Sequence, residues 1–248
     1  MRYLTLLDEA APGVLDGLYL VGLIALGDFQ PRQSDIDFIA VTALPLSARA
    51  LDAIETVHRV LAQKPGPAFD GFYIDRSDIG LPPDPNRILP FELAGHFHRR
   101  SACFEANPVT WSVWRDHGIA VRGPAPETLH LSIDPAALIR FEHDNLGYYW
   151  TDWVVTHWAG PADAALAARG VLGVLRLAHV LATGRVASET AAGQWALGHF
   201  ASPWHPIIDA ALAARRGKPA PMPLVRFHAA LDFVACVIAE ARSGYPLR

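Results

Sequence analysis

The stretch Leu18–Val41, LYLVGLIALGDFQPRQSDIDFIAV, decides the fold. Leu18-Tyr19-Leu20-Val21 is a short apolar run stopped by Gly22, the signature of a buried strand. A brief helix-and-loop excursion follows, and Ser34-Asp35-Ile36-Asp37 then enters a second strand. That strand turns continuously apolar through Val41, as a central strand does when both its faces are covered. Carboxylates at i and i+2 of a strand point to one face, and Ile36 between them points to the other. Two such acids repel unless a cation lies between them. A hard, oxygen-seeking Mg²⁺ that keeps waters and takes phosphate oxygens suits the pair. Without a cation, like-charge repulsion raises one of the two pKa values. The plainer reading, that Asp35 caps a turn and Asp37 is a solvated edge position, fits a bare D-x-D equally well. The strand–glycine unit upstream favours the cation.

Outward from this segment, Leu51, Ile54, Val57, Val60 and Leu61 recur at helical spacing between Ser47 and Gln63, and Phe69–Ile74 reads as a further strand. The proline-rich stretch from Leu81 to Pro90 is expected to be a surface loop without regular structure. Pro108–His117 reads as a short helix, followed by a strand at Ile119–Val121 and a turn at Gly123-Pro124. From about Pro135 the pattern is helical throughout: 162–183, 188–200 with Ser188 as N-cap, 207–216 and 224–242. The expected fold is therefore α+β. An N-terminal α/β domain with a mixed sheet (residues 1–128) precedes an all-α helical bundle (129–248).

Of the 248 residues, 51% are hydrophobic and 19% charged, which excludes a disordered or collagen-like chain. The net charge of −4 lacks the basic balance of a general nucleic-acid binder. Two cysteines far apart argue against a disulfide framework and fit a reducing compartment. The N-terminus meets Asp8-Glu9 too early for a secretory segment, and no uncharged apolar run reaches the ~18 residues of a membrane span. A cytoplasmic protein with no membrane partner is expected. The oligomeric state stays open.

The pattern Gly22-Leu23, eleven intervening residues, then Asp35-Ile36-Asp37-Phe38 resembles the nucleotidyltransferase superfamily that includes DNA polymerase β. Together with Ala120-Val121-Arg122-Gly123-Pro124, the run Thr183-Gly184-Arg185-Val186-Ala187-Ser188 and Trp195-Ala196-Leu197, it is similar to the streptomycin/spectinomycin adenylyltransferases. This resemblance implies transfer of AMP from ATP to a hydroxyl of a small acceptor, with magnesium bridging the triphosphate. It implies that Asp35 and Asp37 hold the metal, and that Asp70, where the antibiotic enzymes carry Glu, deprotonates the acceptor or joins the metal shell. Gly22, Ser34 and Arg176 would contact the nucleotide. Asp70 equally reads as a strand-end residue before Gly71.

The sequence departs from the family at four places. Leu23 replaces the Ser or Gly that receives a triphosphate oxygen. Glu189 stands where the family has a phosphate-binding lysine, a charge reversal beside a polyphosphate. Arg215 matches a nucleotide-contacting tyrosine, and either restores the missing cation or simply ends a helix with Arg216. The acidic residues that attract aminoglycosides are matched by Ala164–Ala168, which carries no carboxylate. The resemblance thus implies an active adenylyltransferase of uncertain acceptor or, alternatively, a catalytically degenerate binding or regulatory protein of the same fold. The aromatics Tyr148, Tyr149, Trp150, Trp153 and Trp158 read as helix-packing core in preference to an acceptor pocket. His96-Phe97-His98-Arg99-Arg100 reads as surface in preference to a metal or phosphate site.

Overall fold

The computed structural model describes residues 2–31 and 33–244, and the chain divides into two compact units, 1–134 and 135–248. The first contains α1 (Arg2–Ala10), β1 (Leu15–Leu20), the single turn α2 (Gly22–Ala25), β2 (Ile36–Thr42), α3 (Ala48–Ala62), β3 (Phe69–Asp75), β4 (Ile88–Leu93), β5 (His96–Ala102), α4 (Pro108–His117) and β6 (Ile119–Arg122). The six strands form one mixed sheet in the order β5-β4-β3-β2-β1-β6. β2 and β3 are parallel, joined across α3, and the other neighbours are antiparallel.

Period-two alternation sorts the side chains onto two faces. On one face, Leu18, Phe38 and Tyr73 pack with Tyr3 and Leu7 of α1 and Ile54 and Val57 of α3. On the other, Tyr19, Ile39 and Phe72 lie in register. Trp114 packs on Tyr19 at 5.1 Å between centroids and Trp111 stacks on Phe72 at 5.7 Å, so α4 covers this end of the sheet. Ser47 and Asn107 start α3 and α4 by accepting the N–H groups of Ala50 and Thr110.

The proline-rich stretch is not wholly irregular. Its last residues, Ile88–Pro90, begin β4. Proline has no N–H to give to a ladder, and the β4–β5 register shifts between Leu89 and Phe91, around Pro90. Pairing of β4 with β3 is confined to Phe91 and Glu92, beyond the proline. The Ala120–Pro124 motif proves architectural: Arg122 donates to Asp8 of α1 at 2.7 Å, and the Tyr19 hydroxyl donates to the Pro124 carbonyl at 3.0 Å.

The second unit is helical: α5 (Pro135–Asn145), a π turn (Leu146–Trp150), α6 (Thr151–Trp158), α7 (Ala164–Thr183), α8 (Glu189–His199), α9 (His205–Arg215) and α10 (Leu224–Gly244). Among the described residues, α7 alone is long and apolar enough to cross a membrane, but 67% of its most apolar window is buried in the unit's own core. The Thr183–Ser188 run is the joint between α7 and α8. Gly184 ends α7 in the left-handed region (φ 69°), and Ser188 caps α8 by accepting from Ala191. The aromatic cluster divides. Trp150 and Trp153 are core, their rings lying where side chains at Gly173 and Gly170 would otherwise sit. Tyr148, Tyr149 and Trp158 are exposed.

Glu142 on α5 is fully buried, and burial pushes its carboxyl up to about 7 against the pull of Arg176. In the unfolded chain it loses its proton near pH 4.5, so between that pH and about 7 only the folded state holds the proton. The contribution to stability is complete below pH 4.5 and is lost as pH rises through 7. Thermal melts of Glu142→Gln should show a weaker decline in Tm between pH 5 and 8 than wild type, and a higher Tm at pH 8. An unchanged slope would contradict the burial argument.

Candidate active site

Gly22, two residues beyond β1 and first in α2, adopts φ +59°. A Cβ there would lie 2.7 Å from Cγ of Asp37 and closer still to Oδ2, so only a bare α-carbon lets the chain turn against that carboxylate. The Val21 N–H donates to the Asp37 carbonyl at 3.0 Å, fixing the approach. Leu23, half-buried, begins the α2 turn beside it. Ser34 is buried and closes the loop that delivers Asp35: its Oγ accepts from Gln30 N–H at 3.0 Å, and its own N–H donates to the Gln30 carbonyl at 2.8 Å.

Asp37 and Asp70 are register partners on the parallel strands β2 and β3, so their side chains stand on the same face, one step before Ile39 and Phe72. Asp35 lies exposed immediately ahead of β2. Asp70 is buried. Burial raises its pKa above the usual carboxylate range, an N–H from Ala94 opposes that, and the charge of Asp35 adds to it. The Ala94 N–H donates to Oδ2 at 3.1 Å, whereas Oδ1 is buried without a hydrogen-bond partner.

On the opposite face, Glu92 stands in register with Gly71. Burial, then the charge of Asp70, pushes its carboxyl up to about 7. It faces His58 Nδ1 at 3.8 Å. Burial lowers His58 to about 4, and its Nε2 bonds the Tyr73 hydroxyl at 2.7 Å, which in turn meets Tyr3 at 2.6 Å. This buried polar row behind the candidate base, and the Ala94 amide in front of it, have no motif that sequence reading can detect.

The residues fit a hard divalent cation. Asp35 and Asp37 would supply carboxylate oxygens, and Asp70 has an unsatisfied buried oxygen on the face of Asp37. Among the described residues no group of three or more His, Cys, Asp and Glu is placed to hold a metal ion by itself. A site of this kind leaves coordination positions to phosphate oxygens and water, as Mg²⁺ prefers. His96, His98, Arg99 and Arg100 form no rival centre. They lie on the edge strand β5, where His98 stacks on Phe91 at 4.4 Å and Arg99 pairs with Asp52 and Glu55.

In the helical unit, Arg176 projects from the middle of α7, with its Nε buried and unpartnered. Glu189, first residue of α8, and Arg215, last of α9, meet with Nε 2.9 Å from Oε2. Each charge also opposes the partial charge of its own helix end. Arg215 is only 5% exposed. The two departures from the family pattern are thus one ion pair.

A family model for the aminoglycoside adenylyltransferase C-terminal domain matches residues 155–240. No curated protein matches the chain in sequence. Among solved structures, spectinomycin adenyltransferase AAD(9) from Enterococcus faecialis, determined with ATP and spectinomycin, matches with a TM-score of 0.72 at 12% identity over 96% of this chain and 97% of that one. The chain therefore shares the fold of the spectinomycin enzyme along nearly its whole length, and its residues 155–240 are similar to the C-terminal domain of the aminoglycoside adenylyltransferases.

Proposed function

We propose that the protein is a Mg²⁺-dependent adenylyltransferase that moves AMP from ATP to a hydroxyl of a small molecule. One observation carries the reading: Asp37 and Asp70 are register partners on parallel strands, and Gly22, which opens α2, is pressed against the first of them. When bound, the cation would neutralise the triphosphate and polarise the α-phosphate. Asp35 and Asp37 bind and orient it, and Gly22 lets the backbone approach. Asp70 takes the acceptor's hydroxyl proton. The acceptor oxygen then forms a bond to the α-phosphorus, the bond to the bridging oxygen breaks, and pyrophosphate leaves. The raised pKa of Asp70, set first by burial, suits it to receive that proton. A cytoplasmic location, where ATP and magnesium are at hand, fits the reading. The two described cysteines are both free.

Purified protein with ATP, Mg²⁺ and a panel of spectinomycin, streptomycin and uncharged polyols should release pyrophosphate and yield an AMP-bearing product with at least one acceptor. Asp70→Asn should lower kcat by about 10²–10⁴-fold, the range of general-base catalysis, with KM for ATP little changed. Full activity of that variant would remove Asp70 from the chemistry.

A second reading, a degenerate binding or regulatory protein, draws on Leu23 and on the Glu189–Arg215 ion pair, which engages Arg215 with a carboxylate in place of a phosphate. Calorimetry separates the two. An active transferase shows magnesium-dependent heat on ATP addition, and the degenerate form shows none.

A further inference from the structure

β4 and β5 are joined by a two-residue turn: Leu93 pairs with His96, and Ala94 and Gly95 both have positive φ, 50° and 82°. This is the primed geometry that matches strand twist and favours Asn-Gly or Gly-Gly. Gly95 adopts it freely. Ala94 does not, since a Cβ in the left-handed region crowds the following carbonyl oxygen. Strain of this kind persists where the surroundings over-determine it, and it clusters at functional sites. The N–H that this conformation presents is the one that donates to Asp70 Oδ2 at 3.1 Å. The two oxygens of the carboxylate are thereby made unequal, because Oδ1 is buried with no partner.

We infer that the β4–β5 turn is a positioning element for the base: the Ala94 N–H, by holding Oδ2, keeps the Asp70 carboxylate in one orientation toward the acceptor hydroxyl. The inference rests on the adenylyl-transfer reading and adds a residue to it. Ala94 acts through its backbone and through Asp70, and touches no substrate. The proton passes from the acceptor hydroxyl to the Asp70 carboxylate while Oδ2 keeps its bond to the amide. A carboxylate free to rotate would lose the fixed line of approach on which near-attack geometry depends.

Three variants and one physical measurement test this. Ala94→Gly keeps the N–H and relieves the strain, and should retain transfer. Ala94→Pro removes the donor. Because proline cannot hold a positive φ, a second variant with one glycine inserted between Ala94 and Gly95 displaces the donor while leaving both strands intact. Each of these two, checked by thermal melting for a wild-type fold, should lose kcat by about 10²-fold with KM for ATP unchanged. Amide hydrogen exchange gives a readout that needs no acceptor. The Ala94 amide should be protected in wild type and should exchange much faster in Asp70→Ala. An active wild type whose insertion variant is equally active overturns the inference alone, as does an Ala94 amide indifferent to Asp70. A wild type that transfers AMP to no acceptor of the panel while its Ala94 amide is protected overturns the adenylyl-transfer reading, and the inference falls with it.

Discussion

Asp37→Asn should abolish adenylyl transfer, with a loss of about 10³-fold or more, while leaving the fold intact. Phosphoryl-group transfer asks little covalent chemistry of the protein; its catalysis is positioning and charge neutralisation. In the proposed reaction Asp37 stands at the centre of that work. It is in register with Asp70, it lies against the Gly22 backbone, and its carbonyl receives the Val21 N–H. Asparagine keeps the volume and one oxygen but loses the charge that a cation requires. The rise in Tm that Mg²⁺ and ATP produce in wild type should vanish in this variant. Turnover at the wild-type rate in this variant would remove the paired-carboxylate chemistry altogether.

Gly22→Ala should damage both activity and stability. Two penalties act together. The backbone at φ +59° tolerates a Cβ only at a cost of roughly 1–2 kcal/mol. The added carbon would also overlap the carboxylate of Asp37, 2.7 Å from its Cγ. Asp37 can escape only by rotating away, and that turns its oxygens out of line with Asp70. Activity should fall by about 10²-fold, as expected when a reacting group is displaced by about an ångström. Stability should fall with it, in contrast to Asp37→Asn. The pair of variants separates loss of charge from loss of shape: the first leaves a stable, inactive protein, and the second an inactive and destabilised one. If Gly22→Ala melts with wild type and turns over normally, the close approach of Gly22 to Asp37 is not a feature of the working enzyme.

Much of the fold was legible in the chain because burial writes its period into the residues. The period-two run entering Val41, the helical spacing of Leu51 to Leu61, and the cap Ser188 all correspond to elements with ends close to those expected. The β4–β5 hairpin was not legible. Proline-rich composition hid the start of β4, where a register shift around Pro90 absorbs the missing N–H. Its turn, Ala-Gly, lacks the usual Asn or Gly in the first position. α1 also went unread, for its nine residues show no cap signal beyond their apolar face.

For the candidate site the division is sharper. Asp35, Asp37 and Gly22 lie within one local segment, so spacing along a strand was enough to propose that they act together. Asp70 could be named only by resemblance, because its place beside Asp37 depends on the crossover through α3 that makes β2 and β3 parallel. Glu92, His58 and the Ala94 amide gain their meaning only from the sheet: a buried carboxyl that ionises at about pH 7, an imidazole pushed down to about 4, and an N–H aimed at one oxygen. The same holds for Glu189 and Arg215. In the chain they are two unrelated departures from a family pattern, and folded they neutralise one another at 2.9 Å. Local order along the chain thus determined which strands and helices form and that Asp35 and Asp37 stand at the start of one strand. What only the tertiary structure decided is which charges meet and which oxygen is left free, because pairing energies and desolvation depend on distances between residues far apart in sequence.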